Sequence, residues 1–131
     1  MVIIDTTVWV DYFRGLRNAE TDWLNVEAGR QRLGLTDLIL CEVLQGVRGD
    51  LSFARTQREL LGFEVFEMGG VDLAIAAARN FRTLRQRGKT VRKTIDCLIA
   101  TFCLSNGHSL LHRDRDYVPF EQTLGLSVVH P

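Results

Sequence analysis

The sequence is poor in the features that mark secreted, membrane-spanning and zinc-binding proteins. It has only three cysteines among 131 residues, and none of them forms the C-x-x-C spacing of a zinc or redox site. No segment approaches the roughly 20 apolar residues of a membrane span. The N-terminus shows neither a basic leader nor an apolar stretch long enough for a signal peptide. We therefore expect a cytoplasmic protein without membrane contacts, with Cys41, Cys97 and Cys103 as small core side chains.

Internal repeats, low-complexity tracts and linkers are also absent, and no Ser-His-Asp or Cys-His set is apparent. The three histidines all lie towards the C-terminus (His108, His112 and His130). The sequence thus gives no reason to assume a covalent protein nucleophile, and a length of 131 residues suits one domain with a real core.

Short apolar runs alternate with amphipathic segments along the whole chain. The runs predict strands at Val2–Asp5, Arg32–Thr36, Phe63–Phe66, Ser109–Leu111 and Leu126–Val129. The amphipathic segments predict helices from Thr6 or Thr7 to Phe13, and at Ala19–Ala28, Leu38–Val47, Leu51–Leu61, Asp72–Gln86 and Thr94–Ser105. Strands separated by helices predict an α/β fold with a parallel sheet covered on both faces.

Five carboxylates interrupt apolar or turn-forming stretches where a charge is costly. They are Asp5, Glu42, Asp96, Asp114 and Asp116. A buried carboxylate costs several kcal/mol unless it is paired or bound to a metal. Such a spread of acids indicates a shared divalent cation, and phosphodiester chemistry is the reaction that such a site suits best.

The predicted elements bring these acids to one edge of the sheet. Asp5 ends the first strand, and Asp114 and Asp116 follow a later one, so all three lie where α/β sheets bind ligands. Asp96 stands near the start of a helix, and Glu42 lies within a helix that could cover the same crevice.

Each acid also has a structural explanation. Asp5 and Asp96 could cap helices or complement their dipoles, and Asp114 and Asp116 could be turn residues. Glu42 is harder to dismiss because its neighbours are apolar, although it could face a solvated groove between helices. The joint pattern favours a common cation over five separate explanations.

Basic residues are concentrated ahead of Asp96. Seven of them and no acid lie between Arg79 and Lys93, and Arg82 and Arg85 are spaced to share one helix face. Arg113 interleaves with the later acids. These side chains could hold a phosphate backbone beside the metal, or could simply form a solvated surface. The formal net charge is zero, but five acids in one pocket leave eleven acids against sixteen bases elsewhere.

Four motifs in order resemble those of PIN-domain ribonucleases, most closely the VapC-type toxins of bacterial toxin–antitoxin systems. The first is Val-Ile-Ile-Asp-Thr-Thr-Val-Trp at residues 2–9. Glu42 follows in a helix after Leu-Thr-Asp at 35–37, then Thr-Ile-Asp-Cys-Leu-Ile-Ala at 94–100. The last is Leu-Leu-His-Arg-Asp-Arg-Asp-Tyr at 110–117. The resemblance spans the whole chain.

The resemblance implies a PIN-like three-layer α/β/α sandwich with a central parallel sheet, as a single PIN domain over residues 1–131. It implies Mg²⁺ or Mn²⁺ held by carboxylates. Asp5, Glu42, Asp96 and Asp114 match the family's acidic quartet and Asp116 a frequent fifth acid. Thr7 keeps a hydroxyl where Ser is usual. His112 stands where Thr is often found, and we assign it no catalytic role.

The expected function is a metal-dependent endoribonuclease that acts as a toxin and hydrolyses RNA by metal-activated water. The expected catalytic residues are Asp5, Glu42, Asp96 and Asp114. The expected metal ligands are Asp5, Asp96, Asp114 and Asp116, and the expected RNA contacts are Arg82, Arg85 and Arg113. The resemblance also implies a cognate antitoxin, a toxin homodimer and a toxin–antitoxin hetero-oligomer.

Two alternatives stay open. A carboxylate-metal phosphatase would use Asp5 as nucleophile, but such enzymes usually carry a second Asp two residues later, where this chain has Thr7. A non-catalytic PIN-like RNA-binding protein would tolerate the loss of acids, yet all of them are present.

Overall fold

Four parallel strands form the centre of the computed structural model, which describes residues 1–131. The strands are β1 (Val2–Ile4), β2 (Leu33–Thr36), β3 (Glu64–Phe66) and β4 (Ser109–Leu111). Their order across the sheet is β3-β2-β1-β4, and every neighbouring pair is parallel. The first strand therefore lies between the second strand and the last one.

Burial explains the character of the inner strands. Every residue of β1 and β2 is buried, which matches their continuous apolar runs in the sequence. Gly34 in β2 is required by a close approach, because a Cβ there would lie 2.9 Å from the Phe66 ring and 3.0 Å from the Glu64 carbonyl oxygen. The inner strands thus form a tightly packed base for the residues at their carboxyl ends.

The helices form two groups, and the helices of each group contact one another. The first comprises α1 (Thr6–Phe13), α2 (Ala19–Glu27), α3 (Asp37–Gln45) and α4 (Asp50–Leu60). The second comprises α5 (Val71–Gln86), α6 (Thr94–Asn106) and α7 (Val118–Leu124), with a 3₁₀ turn at Arg115–Tyr117. This arrangement confirms the expected α/β/α sandwich around a parallel sheet.

Helix α6 is the most deeply buried helix and carries one of the predicted acids. Its buried residues include Ile99, Ala100, Phe102 and Cys103, so the helix packs into the core almost all the way round. Gly107, with φ of 67°, ends it in the left-handed conformation that glycine adopts without strain. Asp96, in the first turn of this helix, is therefore buried together with the helix.

Two local expectations are wrong, and two short elements were missed. Leu126–Val129 is not a strand, since Val128 makes only an isolated bridge with Leu110. The 3₁₀ turn and α7 were not expected, although Pro119 early in α7 and Gly125 after it are ordinary helix boundary signals. Cys41 is exposed rather than in the core. None of the helices has the length and apolar character needed to cross a membrane.

Candidate active site

The predicted acids meet at the carboxyl edge of the sheet, beside β1 and β4. Successive strands run from β1 outward to β2 and β3, and the chain then returns to the other side of β1 as β4. Such a reversal leaves a crevice at the strand ends, where α/β proteins bind ligands. The backbone N–H of Asp5 donates to the Leu111 carbonyl oxygen at 2.9 Å, which fixes Asp5 beside the end of β4.

Asp5 is 3% exposed and serves as the N-cap of α1. Its Oδ2 accepts hydrogen bonds from the Thr7 backbone N–H at 3.1 Å and the Thr7 hydroxyl at 2.7 Å. Its Oδ1 accepts one from the Tyr117 hydroxyl at 2.7 Å. Helix capping therefore explains the contacts of Oδ2. The partner of Oδ1, the Tyr117 hydroxyl, also lies near a second buried acid.

Asp96 is that second acid, in the first turn of α6 and only 6% exposed. Its Oδ1 lies 3.4 Å from the Tyr117 hydroxyl, and its buried Oδ2 has no hydrogen-bond partner. Burial raises the pKa of Asp96 to about 6, with a further increase from the charge of Asp5 and a partial decrease from Lys93. A buried carboxylate oxygen without a hydrogen-bond partner requires an explanation, and a bound cation is one that the neighbouring acids would support.

Asp114 and Asp116 lie next to Asp96 at the end of β4. One ligand oxygen from each of the three residues can be chosen so that all lie within 4.8 Å of one another. Asp114 also caps the 3₁₀ turn, because its Oδ1 accepts the backbone N–H of Asp116 at 2.9 Å. The turn explanation and the ligand explanation are therefore compatible, since the other oxygens stay free of backbone donors.

Two cations from the loop before α6 lie against this cluster. The Lys93 ammonium is 3.8 Å from Asp114 Oδ2, and the Arg92 guanidinium is 3.9 Å from Asp116 Oδ1. Both basic side chains are mostly exposed, so these pairs contribute little to stability. Their effect is to place positive charge at the mouth of the acidic cluster.

Glu42 reaches the site from α3 on the other face of the sheet. Its Oε1 accepts a hydrogen bond from the Thr6 hydroxyl at 2.6 Å. This contact links Glu42 to the residue that directly follows Asp5. Glu42 is half-buried and lines a cavity of about 620 Å³ between α1, α3 and α4. The solvated groove considered as an alternative is therefore its actual environment, and its second oxygen makes no protein hydrogen bond.

His112 has a structural role at the edge of the site. Its Nδ1 accepts the backbone N–H of Asp114 at 3.0 Å, and its ring packs against that of Tyr117 with centroids 4.8 Å apart. Burial lowers the pKa of His112 despite the opposing effect of Asp5 and Asp114. A neutral ring that accepts this hydrogen bond orients the turn that carries the acids.

The three predicted RNA-contacting arginines are in different environments. Arg113 pairs with Asp11 at 2.7 Å and lies 3.4 Å from Glu20, so its guanidinium ties the end of β4 to α1 and α2. Arg82 and Arg85 are exposed on α5, and Arg85 lies over the Phe81 ring. Arg82 and Arg85 thus make no ion pair, whereas the Arg113 guanidinium is paired with two carboxylates.

The cluster suits a hard divalent cation. Its donors are all carboxylate oxygens, which Mg²⁺ and Mn²⁺ prefer. One of them, Asp96 Oδ2, is buried without a partner, and three ligand oxygens lie close together. Asp5 and Glu42 are not members of this compact group. The Tyr117 hydroxyl links Asp5 to Asp96, and Glu42 accepts a hydrogen bond from Thr6, the residue after Asp5.

Sequence reasoning overlooked Tyr117 and the contacts of Arg92 and Lys93 with the cluster. The two basic residues belong to the recognised basic run, so their charge gave a usable signal. For Tyr117 the only signal is a hydroxyl-bearing aromatic directly after Asp116, because its contacts with Asp5 and Asp96 depend on the folded chain.

A model of the PIN domain matches residues 2–123, and the chain belongs to the PIN-domain family. Its curated relatives include ribonuclease VapC11 of Mycobacterium tuberculosis and VapC ribonuclease Mb1587 of Mycobacterium bovis. Each is 32% identical over 121 residues, which are 89% of this chain and 89% of the relative. The resemblance to VapC-type PIN-domain ribonucleases is therefore confirmed.

Solved structures show the same fold. FitAcB from Neisseria gonorrhoeae superposes with a TM-score of 0.78 at 16% identity, covering 100% of this chain and 98% of that one. VapBC2 from Rickettsia felis, bound to a DNA fragment from its promoter, superposes with a TM-score of 0.77 at 15% identity and 98% coverage of both chains. A toxin–antitoxin complex from Klebsiella pneumoniae gives 0.74 at 20% identity, covering 100% of this chain and 98% of that one.

Proposed function

We propose that this chain is an Mg²⁺- or Mn²⁺-dependent endoribonuclease and the toxin of a toxin–antitoxin pair, with residues 1–131 acting as one PIN domain. The observation that carries the proposal is the buried, unpartnered oxygen of Asp96 beside Asp114 and Asp116 at the carboxyl edge of the sheet. The relationship to VapC ribonucleases supports RNA as the substrate.

Asp96, Asp114 and Asp116 would hold the metal, with Asp5 as a further ligand or an anchor beside it. When bound, the ion lowers the pKa of a coordinated water and offsets charge on the phosphate. The protein's own contribution is to fix these oxygens before the substrate arrives. The carboxyl end of β1, the first turn of α6 and the 3₁₀ turn each supply ligands from a rigid element.

Glu42 would orient the attacking water and accept its proton. Its Oε1 is held by the Thr6 hydroxyl, its Oε2 has no protein donor, and the residue lines the groove. A half-buried carboxylate is better suited to this exchange than a fully buried one, because water can reach it.

RNA would approach across the basic side chains that surround the acids. Arg92 and Lys93 already lie at the mouth of the cluster, and Arg82 and Arg85 extend the positive surface along α5. Contacts of this kind bind phosphates with little sequence preference. Arg113 would support the site indirectly by holding the end of β4 against Asp11 and Glu20.

The structural neighbours are VapBC and other toxin–antitoxin complexes, which supports a cognate antitoxin as partner of this chain. We extend the proposal to a toxin homodimer and a toxin–antitoxin hetero-oligomer. A toxin that cleaves cellular RNA would act in the cytoplasm.

The geometry disfavours the phosphatase alternative. Oδ1 and Oδ2 of Asp5 both accept hydrogen bonds from protein donors, which hold the carboxylate in place beside the cluster. The position two residues later is Thr7, whose hydroxyl donates to Asp5 rather than serving as a general acid. A non-catalytic scaffold does not account for the costly burial of Asp96.

The test is cleavage of cellular RNA by the purified protein with Mg²⁺, with Mn²⁺ and with EDTA, followed by sequencing of the new RNA ends. We expect metal-dependent ends from the wild type, none from Asp5→Ala, and wild-type ends from Asp50→Ala, a control acid exposed at the start of α4. Cleavage that persists in EDTA or in Asp5→Ala would contradict the proposal.

A further inference from the structure

A single buried hydroxyl lies between two of the site's carboxylates. Tyr117 is 0% exposed, and its hydroxyl is 2.7 Å from Asp5 Oδ1 and 3.4 Å from Asp96 Oδ1. These residues are distant in sequence, and Tyr117 and Asp5 are 112 positions apart. The hydroxyl, carried by the 3₁₀ turn, therefore joins one acid from the end of β1 and one from α6.

The distances indicate where the hydroxyl proton lies. A tyrosine hydroxyl has one proton to donate, and the shorter distance assigns it to Asp5. Because Thr7 occupies Asp5 Oδ2, the Asp5 carboxylate is then held at both oxygens. Asp96 keeps a free Oδ2 for a cation. The hydroxyl thus fixes the Asp5 carboxylate and leaves an oxygen of Asp96 available to a cation.

Tyr117 is itself held firmly. Its ring contacts His112 and Phe120, with centroids 4.8 and 6.5 Å away, and its backbone N–H donates to the Asp114 carbonyl oxygen at 3.2 Å. It ends the same 3₁₀ turn that contains Asp116 and is capped by Asp114. Two ligands and the hydroxyl therefore move as one unit.

We propose that Tyr117 is a positioning residue, whose hydroxyl fixes the Asp5 carboxylate and keeps it apart from Asp96 so that the cluster binds its divalent cation in a productive geometry. This inference rests on the proposed function. Tyr117 touches neither solvent nor the groove and acts only through Asp5 and Asp96. Groups that orient metal ligands in this way typically change metal affinity or activity by 10–100-fold when removed.

The first test compares Tyr117→Phe with Tyr12→Phe. These are the only two tyrosines in the chain, and the Tyr12 hydroxyl makes no hydrogen bond within the protein, so Tyr12→Phe is a matched control. Mn²⁺ affinity is measured by calorimetry without RNA, and kcat and KM are measured separately. For Tyr117→Phe we expect about tenfold or greater weakening of Mn²⁺ binding and a similar fall in kcat, with KM for RNA unchanged.

The second test leaves the protein intact. In wild type labelled with 3-fluorotyrosine, the ¹⁹F spectrum contains two tyrosine resonances, which Tyr12→Phe assigns. Diamagnetic Mg²⁺ should shift the Tyr117 resonance and leave that of Tyr12 in place. This measurement remains decisive if Tyr117→Phe does not fold.

Several outcomes would overturn the inference. A Tyr117→Phe protein that melts earlier but binds Mn²⁺ and turns over like wild type would show a purely structural hydroxyl. A Tyr117 resonance unmoved at saturating Mg²⁺ would separate the tyrosine from the metal site. If wild type binds Mn²⁺ but cuts no RNA, the proposed function fails while the affinity and ¹⁹F readouts still decide the inference. If wild type binds neither ion, both fail.

Discussion

Asp96 is the residue at which burial and charge conflict most directly in the metal-free protein. Burial raises its pKa from 3.8 to about 6, and each unit corresponds to about 1.4 kcal/mol. Keeping this carboxylate ionised at neutral pH therefore costs roughly 3 kcal/mol of folding stability at most. A bound divalent cation would remove that cost, because it would stabilise the ionised carboxylate.

Asp96→Asn should separate stability from function. Without metal, the variant should unfold at a higher temperature than wild type, because the amide carries no charge to desolvate. Its Mn²⁺ affinity should fall by about tenfold or more, since a ligand oxygen of the cluster loses its charge. Calorimetry and melting curves in EDTA measure both effects, with Asp72→Asn in the first turn of α5 as control. Unchanged Mn²⁺ affinity would remove Asp96 from the site.

Glu42→Gln should preserve the fold and abolish most of the activity. The amide keeps the size of the side chain and a hydrogen bond to Thr6, but it cannot accept a proton from water. We expect RNA cleavage to fall by about 10²-fold or more, a melting temperature close to that of wild type, and loss of growth arrest on expression. Glu59→Gln, in the same groove on α4, is the matched control.

A Glu42→Gln protein that cleaves RNA at the wild-type rate would assign Glu42 a purely structural role. The aspartates alone would then form the catalytic site.

Helix α5 carries the positive charge that RNA binding by this surface requires. Reversing Arg82 and Arg85 to Glu should weaken RNA binding with little sequence preference and reduce the salt dependence of affinity, because fewer counterions are displaced. Filter binding or fluorescence anisotropy over a range of salt concentrations measures both. Metal affinity should be unchanged, because neither residue contacts the acids.

A second pair with the same spacing, Arg55 and Arg58 on α4, provides the comparison. If reversing this pair flattens the salt dependence while the α5 pair has no effect, RNA runs through the groove beside Glu42 instead. Wild-type behaviour of both variants would contradict RNA binding by either helix.

The sequence was most informative where a strand is buried on both faces. The apolar runs at Val2–Ile4 and Ser109–Leu111 predicted strands whose ends deliver Asp5 and Asp114, and both are present. The sequence was misleading where local composition favoured an element that the surrounding fold does not form. Val128 and Val129 favour a strand, but the segment pairs with β4 only through the single bridge between Val128 and Leu110, because β4 is three residues long and pairs mainly with β1.

Local composition also exaggerated the burial of α3. The apolar neighbours of Glu42 suggested a helix enclosed on all sides, yet Leu38, Leu40 and Leu44 are only half-buried and Cys41 is exposed. The contacts of the Tyr117 hydroxyl with Asp5 and Asp96 could not be predicted from the sequence for a different reason. They depend on a contact between the two ends of the chain, which no local pattern encodes.

The stability of the whole protein should depend on pH in a direction set by Asp96. Because its pKa is raised, the folded protein binds this proton more tightly than the unfolded chain between about pH 4 and pH 6. Stability from this group therefore decreases as pH rises through that window. The lowered pKa of His112 acts in the opposite sense, since the unfolded chain protonates first as pH falls.

Comparing wild type with Asp96→Asn isolates the Asp96 contribution. In urea titrations with EDTA, the variant's advantage should be largest near pH 7.5 and shrink towards zero as pH falls through 6 to about 4. Saturating Mn²⁺ at pH 7.5 should reverse the order of the two proteins. An advantage that stays constant with pH would contradict a raised Asp96 pKa.

The position of β1 between β2 and β4 has a consequence for the newly synthesised chain. Asp5 is translated more than one hundred residues before its partners Asp114, Asp116 and Tyr117. Until β4 inserts beside β1, the early residues have neither the ligand cluster nor the hydroxyl that orients it. A nascent chain that has not yet reached β4 therefore lacks the complete site, and cleavage of RNA can begin only after this strand has inserted beside β1.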